Sequence, residues 1–88
     1  AAAELRTLAL SGPDAEADAV AVALSAALRP EDELVTVILG RDAMPDVGAL
    51  AAEAVTRYGE RALGDPDAIE VVIHAGGQAR PDVLLALE

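Results

Sequence analysis

The sequence contains no cysteine, no tryptophan and no phenylalanine, and Tyr58 is its one aromatic residue. Without cysteine there is neither a disulfide framework nor a thiolate metal site, a pattern that fits a reducing, cytoplasmic setting. Lysine is missing too. The basic side chains are six arginines (Arg6, Arg29, Arg41, Arg57, Arg61, Arg80) against sixteen carboxylates, which leaves a formal charge of −10. Nucleic acid binding requires a basic footprint, and phosphate backbones would be repelled by this chain. Anionic membrane surfaces are disfavoured for the same reason. No stretch approaches the roughly 18 consecutive apolar residues of a membrane span. Ala1 to Ala3 lacks the basic and apolar regions of a signal peptide.

What the chain has in quantity is small apolar side chains. Ala, Val and Leu dominate an apolar fraction of 53%, spread over 88 residues. That length suits one domain with one core, and such a domain buries only about 60% of its unfolded surface. Small side chains yield little burial each, so helices are expected to approach a sheet closely.

Arg6 to Leu10 is apolar-leaning and short, a first strand. Ser11-Gly12-Pro13-Asp14 breaks it and opens a helix, with Pro13 in the first turn and Asp14, Glu16 and Asp18 at the positive end of the helix dipole. Ala17, Val20, Ala21, Leu24, Ala27 and Leu28 then make one apolar stripe, stopped by Pro30. Glu31, Asp32 and Glu33 read as a solvated turn. Leu34 to Leu39 is an uninterrupted apolar run closed by Gly40, the pattern of a central strand buried on both faces. Val47, Leu50, Ala51, Ala54, Val55 and Tyr58 form a second helical stripe, ending at Gly59 or nearer Gly64. Ile69 to Ala75 alternates, with Glu70, Val72 and His74 on its wetter side. Gly76-Gly77-Gln78 turns the chain, and Val83 to Leu87 is a last strand. The expected fold is α/β: a β-α-β-α-β-β two-layer sandwich over residues 1–88, with a mixed sheet and a C-terminal hairpin.

Candidate sites are few. Gly40, Arg41 and Asp42 follow the central strand, where ligands of open α/β sheets often sit. Asp42 and Asp46 place negative charge where an anion would go, so Asp42 reads better as a cap or turn residue. Gly76, Gly77 and Gln78 permit a tight turn or close docking against bare backbone, and lack the lysine and hydroxyl of a phosphate loop. His74 is the only histidine and has no recognisable orienting partner or second metal ligand in the sequence. Ser11 and Ser25 have no adjacent base. No catalytic residue and no metal site is assigned, because sixteen carboxylates make neighbouring acidic pairs inevitable.

Two stretches carry a family resemblance: ELVTVILGRD (Glu33 to Asp42) and EVVIHAGGQARPDVLLALE (Glu70 to Glu88). Together with the helix between them they resemble the C-terminal end of the dihydroxyacetone-kinase-like family, which includes the kinase subunit of bacterial fatty acid kinase. Gly40, Asp42, Gly76, Gly77, Gln78 and Glu88 match the family pattern. After Gln78 the family often has a Tyr-Pro-Tyr-like element, of which only Pro81 is present here. The resemblance implies a C-terminal subdomain of a larger kinase-like protein, with ATP and magnesium held by the parent's N-terminal domain and no cofactor in this segment. It also implies a lipid-binding protein as partner, with Gly76, Gly77, Gln78 and Pro81 as contact candidates. The expected function is therefore non-catalytic docking. The alternative is a small-ligand sensor for an anion or acyl group, using the Gly40 to Pro45 or Gly76 to Pro81 loop. A terminal strand left as a free edge would also let two copies pair as a homodimer.

Overall fold

A computed structural model describes residues 5–44 and 46–88, apart from the side chain of Ala17. Pro45, Ala1 to Ala3 and the Ala17 position of the first stripe thus lie outside the described residues or side chains. Among the described residues, four strands and two helices follow in the order β1 (Arg6–Leu10), α1 (Ala17–Ala27), β2 (Leu34–Leu39), α2 (Val47–Tyr58), β3 (Glu70–Ala75) and β4 (Val83–Leu87). The Pro13 segment forms a separate 3-10 turn, Gly12–Ala15, ahead of α1. A π-helical turn, Gly59–Leu63, continues α2 and ends at Gly64 with φ +69°.

The sheet order is β1-β4-β2-β3. β4 runs antiparallel to both β1 and β2, while β2 and β3 are parallel. The element order, the two layers and the mixed sheet match the sequence-based expectation, and β3 and β4 follow each other across the Gly-rich loop. Their pairing is a correction to the hairpin. Both strands bond to β2, one on each side, and not to each other. Residues 76–82 step over the end of β2, where Gly76 and Gly77 N–H donate to Leu39 O and Gly40 N–H donates to Asp82 O. An inner position suits β4, because Val83, Leu85 and Leu87 are fully buried; the terminal strand is thus not the free edge expected to pair two copies, and the sheet edges are β1 and β3.

Both helices lie on one face of the sheet. Val20, Leu24 and Leu28 of the first stripe and Val47, Ala51, Ala54 and Val55 of the second meet Val35, Val37, Val83, Leu85 and Leu87 in one core. The approach is close, as small side chains predict. A Cβ at Gly48 would lie 3.3 Å from Ile73 of β3.

Two further expectations are corrected. β2 is an inner strand, yet it is covered on one face only: Val35 and Val37 are buried, Thr36 and Ile38 half-buried. An apolar run records how few charges a strand tolerates, not how many layers cover it. Asp32 is not solvated but 3% exposed. It is ion-paired with Arg6 and accepts the Arg29 N–H at 2.8 Å, while Arg6 also donates to Ala27 O at the C-terminal end of α1, 2.6 Å away.

Candidate functional site

The strands β1, β2 and β3 run in the same direction, so the loops leaving their C-terminal ends gather along one edge of the sheet. This brings Gly40 and Arg41 together with the Gly76 to Pro81 loop singled out from the sequence. Arg41 N–H donates to Gln78 O at 2.8 Å, and Gly40 N–H donates to Asp82 O at 2.7 Å. The Gln78 side-chain amide donates to Pro81 O at 3.2 Å. From the β1 side, Gly12 N–H donates to the Asp82 carboxylate at 3.0 Å. Asp42 sits in the turn closed by Ala43 N–H on Gly40 O, away from the start of α2, so its role is that of a turn residue.

The chemistry of this corner is mostly self-directed. An anion site needs free backbone donors, but the N–H groups of Gly40, Arg41, Gly76 and Gly77 all bond to backbone carbonyls. The glycines serve packing and turning. A Cβ on Gly40 would lie 2.7 Å from Pro81 O and 2.8 Å from Asp82 O, and Gly77 has φ +69°. What faces outward is charge of both signs, the exposed Arg41, Asp42 and Arg80. His74 stands exposed near the end of β3, opposite Ile38 in register. Among the described residues no three potential metal ligands cluster.

A second feature is a shallow groove of ≈ 610 Å³ between the outer sides of α1 and α2, bordered by Val22, Leu50, Glu53, Arg57 and Arg61. Arg57 is ion-paired with Glu53 across one helical turn.

The third feature is the sheet face turned away from the helices, which sequence reasoning missed as a surface. The strand registers align it into rows: Thr7, Ala86, Thr36 and Val72, then Ala9, Leu84, Ile38 and His74. At the opposite end from His74, Leu34 is flanked by Glu70 on β3 and by Glu88, whose N–H donates to Leu34 O. These side chains are half-buried or exposed, and no second layer covers them among the described residues. The available signal was the alternation in β3, whose wetter side also holds the apolar Val72; the continuous runs of β2 and β4 gave none.

No protein-family model matches the chain, and no curated protein matches it.

Proposed function

We propose that this chain is a non-catalytic docking module. The observation that carries the reading is the open sheet face, where Ile38, Leu84, Ala86 and Val72 surround Thr36 on the side opposite the helix-covered core. A two-layer domain with one uncovered apolar sheet face gains stability when another surface dries it, which is the property a docking element needs. The parent in this proposal is a dihydroxyacetone-kinase-like protein, with ATP and magnesium in its own N-terminal domain and a lipid-binding protein as partner. That parentage rests on the matching residues Gly40, Asp42, Gly76, Gly77, Gln78 and Glu88 alone. Titrating the chain with a lipid-binding protein of a fatty acid kinase system tests it. Saturable binding is expected; no binding by the folded chain would remove the partner, and ATP turnover by the chain would remove the non-catalytic assignment.

A second reading has its own observation: two loops that ligands of α/β sheets favour, at Gly40 to Asp42 and Gly76 to Pro81, meet at one edge. On this reading the corner senses an anion or acyl group. Ligand bound only to the folded form raises the melting temperature. An unchanged melting temperature with phosphate, nucleotides and fatty acids would eliminate it.

A further inference from the structure

The docking reading leaves open what covers the sheet, and three properties of the open face narrow the occupant. The first is its polarity. Its two central rows hold Ala9, Ile38, Val72, Leu84 and Ala86 together with Thr7, Thr36 and His74, and no arginine projects from any strand position on this side among the described residues. It also exposes a parallel pair, β2 with β3. Parallel strands are ordinarily covered by helices on both faces, and here the helices occupy only one.

The second is size. At about 3.3 Å per residue and about 4.8 Å between strands, four strands of five or six residues present a face of roughly 300 Å². A stable complex of two folded proteins needs about 800 Å² from each partner. The face sets the same limit for any occupant, so a second copy stacked sheet to sheet gains nothing there from its larger size. A helix about 10 Å across, rising 1.5 Å per residue, spans the face in about 12 to 14 residues.

The third is charge. Glu70 and Glu88 border one end of the apolar rows and both are exposed. A second copy would add its own Glu70 and Glu88 and a further net charge of −10. A cationic segment would be attracted by the same field.

We infer that the open sheet face receives a single amphipathic helix of three to four turns, with its apolar stripe over Ile38, Leu84 and Val72 and with Lys or Arg on the flank above Glu70 and Glu88. This rests on the docking reading and supplies its partner chemistry. The helix completes the second layer over the sheet, and its cations meet Glu70 and Glu88, neither of which is ion-paired among the described residues.

The test uses the whole chain and a synthetic 14-residue helix of Leu, Ala and Lys with one apolar stripe, followed by backbone amide chemical shifts and calorimetry. Two control peptides have the same composition in scrambled order, or Glu in place of Lys. The amphipathic basic peptide should bind saturably and shift Thr36, Ile38, Val72, Leu84 and Ala86. Val72→Lys should weaken binding at least tenfold with an unchanged melting curve; Ala9→Lys, on the exposed edge strand, serves if V72K does not fold. Glu70→Lys with Glu88→Lys should weaken binding several-fold at low salt, and the difference should vanish near 1 M NaCl, where the screening length is about 3 Å. Equal binding by the scrambled peptide, or shifts confined to the groove between α1 and α2, would overturn the inference. So would a concentration-dependent dimer in sedimentation that V72K dissolves. A lipid-binding protein that binds only through the 40–42 and 76–81 loops would overturn the helix site and leave docking intact. Peptide binding without that protein binding would remove the parentage and leave the site.

Discussion

Arg6 is a cation in a strand, and its position is intelligible only through Asp32. Taking the Asp32 carboxylate out of water costs several kcal/mol, which the Arg6 guanidinium and the Arg29 N–H offset. Arg6→Ala would leave that charge unpaired in a nearly closed site. The expected loss is about 3 kcal/mol in a denaturant titration, a large share of a stability near 5 kcal/mol for a domain of this size. The double variant Arg6→Met with Asp32→Leu should regain most of it, since replacing both charges removes the desolvation cost together with the attraction. If the single and double variants are equally unstable, the pair is not what makes Arg6 matter. Gly40 gives a second expectation at this scale. Its missing Cβ is the space in which Pro81 O and Asp82 O sit, 2.7 and 2.8 Å from where the atom would be. Gly40→Ala must push the 76–82 loop off the end of β2, at a cost of about 1–3 kcal/mol. A wild-type unfolding midpoint for G40A would show that the loop yields freely. Both glycine motifs could be found from the sequence because glycine is rare in strands; that Gly40 serves the loop two elements away could not.

β4 shows how one element serves two surfaces. Leu85 is fully buried beneath the helices, and Leu84 points to the open face, half-buried. Leu85→Ala should cost about 2–5 kcal/mol, as truncation of a packed leucine does. Leu84→Ala should cost about 1 kcal/mol or less, because the surface it leaves is already wet. Comparable losses for the two would mean that the open face is covered in solution. The same element marks the limit of sequence reading. VLLAL carries no polar residue to distinguish its sides, so its existence and boundaries were legible and its neighbours were not. β3 was legible in more detail because Glu70 and His74 alternate with Ile69, Val71 and Ile73, and the helices because their stripes recur at helical spacing.

For the whole molecule the dominant electrostatic fact is a charge of −10 on a body with a radius of gyration of 12.1 Å. Like charges that close repel across the molecule at low ionic strength. Raising salt from about 10 mM to about 150 mM shortens the screening length from about 30 Å to about 8 Å, so the melting temperature should rise. A falling melting temperature would mean that attractive pairs outweigh the net repulsion. The sequence by itself determined the class of this protein: acidic, cysteine-free, without a membrane-length helix, and folded as alternating strands and helices. Those properties are local, set by side-chain type, by periodicity and by where Gly and Pro interrupt. Tertiary structure alone decided that β4 inserts between β1 and β2, that Asp32 is drawn inside against Arg6, and that one face of the sheet stays open. Each of these depends on which distant segments compete for the same neighbour, and an apolar run of five or six residues fits an inner strand equally well whether one side or both are covered.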